Sequence, residues 1–386
     1  MNYKYFFICT AFLLLCSCNQ QVDTQLFPNH QDYHILKVSL EETNTSLFDI
    51  FEKIELVPLE TNDESLIKQI VKVKYYQNCF YVLDNQNALF FYNHTGKYLN
   101  KIHRIGQGPG EYQLIYDFFI DTLQSQVGML SPYGSVFHYN FQGVFIKKTD
   151  LPHPPPSYGN VELFSDSTYL LWSSVPFGEF EGLNIVSMET GEKIGGFIYN
   201  EHPVFSTWSQ VFYRDDKGNV YLTRGFSNDV FIVTPEGLEI AYSWDFGKRN
   251  NNIEKLRLSN SLQEMNETAQ RFRDSFWNGE SSVSYLLSLQ HQTDLYYYAT
   301  MWFAFRKMKH LFYHKQTGKF HLFERTTEGV SIERPLLITD EFMLAELGFE
   351  NKESIAPWLF SDDDRKKLAD FQEEDNPYLL KFTFKR

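Results

Sequence analysis

The residues of this chain best suited by type and spacing to do chemistry fall into three sets. The first is the glycine-rich run Gly106-Gln107-Gly108-Pro109-Gly110. Such loops cradle phosphates when they open a helix, whose N-terminus then holds the negative charge. Here the run leads into Leu114-Ile115-Tyr116-Asp117-Phe118-Phe119-Ile120-Asp121, which reads as a buried strand, and Pro109 removes one of the amides a phosphate would use. The run is therefore expected to be a structural connection. The second set is His310, His314 and His321. Spacings of four and then seven along a strand and turn do not keep to one face, so these rings do not converge on a metal ion. The chain has no His-Glu-x-x-His helix, no cysteine pair at metal spacing and no glycine-flanked nucleophile serine. No metal and no cofactor are expected, and the spacing of the acidic residues singles out no catalytic pair.

The third set is a series of aromatic and arginine-bearing loops, and its meaning depends on the elements that carry it. A turn recurs along the chain: an apolar strand, two or three polar residues, a glycine, then another strand. The turn glycines are Gly96, Gly143, Gly191, Gly237 and Gly318, separated by 47, 48, 46 and 81 residues. Steps near 47 match one blade of a β-propeller, four short strands in about 40–50 residues. Glycine suits such turns because tight hairpins need positive φ. The long step holds an insertion: Leu258, Leu262, Met265, Ala269, Phe272 and Phe276 form the apolar stripe of an amphipathic helix. The pattern predicts a helix near 253–276, between blades 4 and 5, packing on the propeller.

Five repeats leave a ring open at a sheet edge, and propellers remove that edge by building the last blade from both termini. Two strands predicted within residues 34–59 and a closing strand over 377–386 supply the pieces. The fold expected is all-β, a six-bladed propeller spanning 34–386. Two further short helices are expected near 340–347 and 362–373, the second opened by Ser361 with Asp364 three residues on, much like a capping box. Composition agrees. Aromatic residues make up 17% of the chain, with 36 Phe and 24 Tyr, and this favours strands over helices.

The N-terminus carries a different signal. Lys4 precedes the apolar run Tyr5–Cys16, too short to span a bilayer (about 20 residues are needed) but suited to the core of a signal peptide. It ends in Leu15-Cys16-Ser17-Cys18, which resembles the lipobox of bacterial lipoproteins. The resemblance implies removal of residues 1–17, lipidation of Cys18, and a linker over 18–33. Only Cys79 is then left of the four cysteines, so no intramolecular disulfide can form. The formal charge of −14 gives the protein no electrostatic reason to bind nucleic acid. No second apolar stretch approaches membrane length, and the expected membrane contact is through lipid alone.

Residues Tyr98–Tyr112, with Tyr92-Asn93-His94-Thr95-Gly96 before them and Asp117–Asp121 after, look like an NHL-type propeller repeat. More broadly, the chain resembles the six-bladed β-propeller lipoproteins of gut-dwelling Gram-negative bacteria. Four motifs carry the likeness: the lipobox, Val57-Pro58-Leu59-Glu60-Thr61, Gly106–Tyr112, and Asn376-Pro377 before a closing strand. The resemblance implies the fold and is nearly silent on activity.

In NHL-like topology the crossovers between blades, and the loops joining second and third strands, open on the face where each inner strand begins. Those loops are Asn85–Asn87, Pro132–Gly134, Trp172–Phe180, Arg224–Phe226 and Met301–Arg306. Their aromatic content exceeds that of ordinary loops. The candidate ligand-binding residues are Arg104, Glu111, Tyr112, Tyr133, Trp172, Arg224, Trp302 and Arg306, although any one of these aromatics could instead pack between blades. Aromatic platforms with a few polar groups suit a glycan, a peptide or a protein partner over a central channel. The function expected is therefore a non-enzymatic binding or scaffold lipoprotein of the cell envelope. An envelope lyase or hydrolase with its site in the channel is the alternative. Converging carboxylates or histidines in the channel would favour the enzyme, and an apolar plug the scaffold. No acidic run follows Cys18, which tilts the expected location to the periplasmic side of the outer membrane.

Overall fold

The computed structural model describes residues 33–152, 158–173, 181–199, 210–225, 227–251 and 262–386. The expected signal peptide, Cys18 and all but the last residue of the expected linker lie outside them. Six sheets follow one another in chain order and close into a propeller, each with four antiparallel strands and that of blade 4 with a fifth, parallel strand added. Blade 1 runs Ile70–Tyr76, Cys79–Asp84, Leu89–Asn93, Tyr98–Ile102, and blade 2 Asp117–Asp121, Gln126–Ser131, Ser135–Asn140, Phe145–Asp150. Blade 3 comprises Tyr158–Ser165, Thr168–Ser173, Glu181–Ser187 and Lys193–Tyr199; blade 4 comprises Phe212–Arg214, Val220–Leu222, Asp229–Thr234 and Gly237–Asp245. Blade 5 is Leu286–Gln292, Tyr296–Trp302, Met308–His314 and Phe320–Phe323.

Blade 6 is shared between the ends of the chain. Pro335–Ile338, Phe342–Leu347 and Tyr378–Phe384 form its inner three strands, and Phe51–Pro58 pairs with the third, from Phe51 opposite Phe384 to Pro58 opposite Tyr378. This joint leaves no free edge between first and last blades. It is pinned by Asn376, which is fully buried. Its side-chain amide donates to the carbonyls of Glu60 (2.9 Å) and Ser65 (2.8 Å), and its Oδ1 accepts from the Ile67 amide (2.8 Å). The Val57–Thr61 and Asn376-Pro377 motifs therefore meet in space as two halves of one clasp. Gly96 adds a third contact. It sits at φ +85°, donates no side chain, and accepts from the Glu60 amide (2.8 Å); a Cβ there would overlap the Pro58 carbonyl.

Two expectations need correction. His34–Lys37 does not join the closing blade: it adds in parallel to the outer strand of blade 4, with His34 opposite Tyr242. The short stretch alternates exposure too little to specify its partner. Residues 340–347 hold a strand, Phe342–Leu347, whose pairing on both sides within blade 6 overrides its local helix propensity. The inserted helix, α1, spans Leu262–Trp277; the predicted stretch 253–261 lies outside the described residues. The helix near 362–373 is α2, Asp362–Asp370, capped by the Ser361 hydroxyl accepting from the Asp364 amide (3.2 Å).

The core is divided among the six seams between neighbouring blades, each with its own apolar cluster. Facing sheets lie about 10 Å apart and diverge outward, so large side chains are needed to fill the wedge. Hence Phe51, Phe312 and Phe384 meet between blades 5 and 6, and Tyr112, Phe137 and Tyr139 between blades 1 and 2. The high aromatic content is spent mainly on these seams.

Candidate functional site

The inner strands of four blades send charged side chains toward one another. Lys72 of blade 1 pairs with Asp117 of blade 2 (2.5 Å), whose other oxygen accepts from the Val161 amide of blade 3 (3.0 Å). Lys74 of blade 1 reaches Glu162 of blade 3 (2.6 Å), and Arg214 of blade 4 stands 3.6 Å from the same carboxylate while donating to the Leu163 carbonyl. Blades 1 and 3 are not neighbours, so the Lys74–Glu162 pair passes in front of blade 2 on the channel side. Burial opposes the Glu162 charge, but Lys74, Arg214 and Lys72 outweigh it and hold the carboxyl down at about 2. Burial in turn lowers the Lys74 ammonium, against the pull of Glu162. Asp117 and Glu162 are thus both engaged by a lysine. The arrangement ties inner strands together and leaves neither carboxylate free to serve a substrate as acid or base.

The eight candidate residues separate into different environments. Tyr112 is buried in the seam between blades 1 and 2, its hydroxyl donating to the Asn87 carbonyl (2.8 Å). Trp172 is buried in the seam between blades 3 and 4, with no hydrogen-bond partner for its indole N–H among the described residues. Glu111 folds back on its own loop and accepts from the Gly108 amide (2.8 Å); Gly106 and Gly108 leave the space it occupies. Arg104 is exposed beside it. Gly106–Gly110 therefore forms a self-capped crossover. Tyr133 stands exposed on blade 2. Arg224 lies half-buried over the Phe231 ring (5.4 Å).

Two pairs are brought together: Arg104 with Tyr112, whose Oη accepts from the Arg104 amide (3.3 Å) and whose amide donates to the Arg104 carbonyl (2.9 Å), and Trp302 with Arg306, through Trp277. Trp302 donates from Nε1 to Ser288 Oγ (3.0 Å) and meets the edge of Trp277 from α1, and Arg306 lies over that same Trp277 ring (5.9 Å). Phe305, between them in sequence, was missed. It and Arg306 both adopt positive φ, 59° and 57°, yet the Phe305 ring is 72% exposed. Two successive non-glycine residues in the left-handed region cost of order 1–3 kcal/mol each; Gln77 and Asn78 do the same in the first hairpin of blade 1, where they close a tight turn, whereas Phe305 does so in a loop that holds its ring in water. Leu66, Val71, Ile105, Tyr116, Tyr133 and Trp358 are likewise exposed. With Phe305 they lie on crossovers, inner-strand starts and second-to-third loops, so blades 5, 6, 1 and 2 present an apolar arc on one face, here the upper face.

The opposite face carries a cleft that the sequence reading also missed. Asp215, Asp216, Asp294 and Asp340, from the first hairpins of blades 4, 5 and 6, line a cavity of about 150 Å³ with Lys217 and Lys315. Burial, then the hydrogen bond and charge of Asp340, raise the Asp216 carboxyl to about 6. Its only sequence signal was an acidic residue at equivalent hairpins of successive blades. Among the described residues no group of three or more His, Cys, Asp or Glu is arranged to hold a metal. The three histidines are separately committed: His310 between Tyr298 Oη (2.9 Å) and the Ile332 carbonyl (2.8 Å), His321 to Thr45 Oγ1 (3.2 Å), His314 to its own turn.

A family model described as a domain of unknown function, DUF4934, matches residues 35–383. No curated protein matches the sequence. Among solved structures, a Bacteroides fragilis protein described as a candidate exported protein superposes with a TM-score of 0.73 at 20% identity, covering 91% of this chain and 100% of its own. A member of the DUF4221 family from Bacteroides vulgatus gives 0.55 at 11% identity, covering 87% and 97%. At these identities the likeness establishes the shared six-bladed fold.

Proposed function

The chain belongs to the DUF4934 family, and from that premise we propose that it is an exported, lipid-anchored envelope protein that binds a partner on its upper face. The observation that carries this reading is the strained, solvent-facing Phe305 at one end of an arc of exposed apolar side chains. An exposed apolar arc is a usual mark of an interaction surface. Its spread over four blades suits a polypeptide better than a small molecule, since small ligands favour concave pockets. The saturated charges of the channel support a scaffold over a lyase or hydrolase. Anchoring rests on the lipobox at Cys18, and the likeness to a candidate exported protein agrees with it; the periplasmic side of the outer membrane fits the sequence after Cys18.

Two experiments test the reading. Peptide, glycan and envelope-protein arrays are probed with residues 22–386 and with Phe305→Ala, Tyr133→Ala and Trp358→Ala forms. Hits should weaken at least tenfold in these variants and stay unchanged in Leu123→Ala, on the opposite face. Hits indifferent to all three upper-face changes would overturn the site. For the anchor, Cys18→Ala should leave the membrane fraction while remaining folded; continued membrane association refutes lipidation.

A further inference from the structure

The upper corner between blades 4 and 5 differs electrostatically from the rest of an acidic molecule. Arg224 belongs to the second-to-third loop of blade 4, Lys248 and Arg249 to the turn after its outer strand, and Arg306 and Lys307 to the corresponding loop of blade 5. Several contacts bring these segments together. The Leu287 amide donates to the Gly225 carbonyl (2.9 Å), and Leu287 pairs with Met301 in the adjoining strand. Asn251 Nδ2 donates to the Tyr285 carbonyl (2.8 Å), and Tyr285 Oη to Asn228 Oδ1 (2.9 Å). The residues Ala304–Arg306 pack on α1, with Arg306 over Trp277.

Among the described residues none of the five cations makes an ion pair. For Arg224 this is costly, because Nε is buried without any hydrogen-bond partner. A buried guanidinium N–H without an acceptor is destabilising, and such a group is ordinarily matched by an anion. Burial lowers its pKa, as expected of a cation whose only carboxylate influence, Asp229, acts at a distance. The nearby Asp245 is committed to its own turn through the Gly247 amide (2.9 Å) and Asn250 (3.0 Å).

We propose that this corner receives the carboxylates of an acidic polypeptide segment whose apolar side chains lie along the arc that begins at Phe305. The inference rests on the upper-face reading above and names its partner's chemistry. Arginine forks grip carboxylates in two directions at once, and the lysines add long-range attraction. The arc mixes the aliphatic Leu66, Val71 and Ile105 with the rings of Phe305, Tyr116, Tyr133 and Trp358; the apolar side chains of a polypeptide can lie on both kinds, whereas sugars stack on the rings alone, so a polypeptide is favoured over an anionic glycan.

The test uses the soluble chain and three fluorescent probes: a short peptide alternating glutamate with leucine and phenylalanine, its lysine counterpart, and polygalacturonate. The glutamate peptide should bind, weaken at least tenfold as salt rises from about 50 to about 300 mM, and weaken at least tenfold in Arg306→Glu/Lys307→Glu but not in Lys319→Glu on the opposite face. Equal binding of the lysine peptide, binding of polygalacturonate alone, or no binding of any probe overturns the proposal. Peptide binding that is lost in Phe305→Ala but indifferent to charge reversal and salt would remove the anion site and leave the upper-face reading standing. Indifference to every one of these changes would remove both.

Discussion

Replacing Glu162 by Gln tests whether the channel charges hold the ring together. The carboxylate is almost wholly buried, 2.6 Å from Lys74 Nζ and 3.6 Å from Arg214 Nη2. Burial alone would raise its pKa above the ordinary 4.5; the three cations reverse this and bring it to about 2. A difference of that size corresponds to about 3 kcal/mol in favour of the folded, ionised form. Lys74 returns part of this, since its own burial disfavours the ammonium. Removing the anion alone leaves a buried lysine and a partly buried arginine uncompensated, a change that typically costs about 3–5 kcal/mol. Glu162→Gln should therefore lose about 3 kcal/mol in urea unfolding followed by tryptophan fluorescence at pH 7, with an unchanged dependence on denaturant. Adding Lys74→Met should restore a large part of the loss, because an apolar pair of similar volume carries no desolvation cost. The pH dependence has a definite sign. The folded pKa lies below the unfolded one, so the stabilisation is complete above about pH 4.5 and is lost as pH falls toward 2. A Gln variant within about 0.5 kcal/mol of the parent, or one with the same acid sensitivity below pH 4.5, would refute the reasoning.

Other outcomes follow from the same geometry. Asn376→Ala strands two carbonyls and one amide at the closing joint, and should cost about 3 kcal/mol at roughly 1–3 kcal/mol per unsatisfied group; a loss below about 1 kcal/mol in the same unfolding assay would show that the clasp is dispensable. Gly96→Ala should destabilise far more than Gly329→Ala: both glycines have positive φ, but only at Gly96 would a Cβ overlap a backbone carbonyl. Equal thermal shifts for the two variants would count against the clasp. His138, His291 and His310 are held near 4 chiefly by burial. Their folded values lie below the unfolded 6.5, so the stability they contribute is present above pH 6.5 and declines from there toward pH 4; a melting temperature flat over that interval would contradict their neutral burial.

Blade number and turn positions were legible because they depend on local rules. A strand period of two, a glycine at each third-to-fourth turn and a recurrence near 47 residues all lie along the chain itself, and so does the stripe ending at Phe272 and Phe276. The self-capping of Gly106–Gly110 was half legible: Pro109 and the following strand excluded a phosphate cradle, but only the fold shows Glu111 filling the space the glycines leave. Strand choice for weak segments was not legible. His34–Lys37 and Phe342–Leu347 take their places from partners hundreds of residues away or across a sheet, and no local preference encodes those partners. The site divided in the same way. Aromatic content and loop position nominated Trp172 and Tyr112, yet the seams between blades claimed both, because a wedge between diverging sheets needs bulky side chains. Phe305 lay among the nominated loops but was passed over: its exposure depends on two left-handed backbone conformations that composition does not reveal. The charges of Lys74, Glu162 and Arg214 are far apart in sequence and converge only because closing the ring brings inner strands around one axis. Sequence alone determined the ring and its repeat; tertiary closure decided which of its polar and aromatic side chains face one another and which face water.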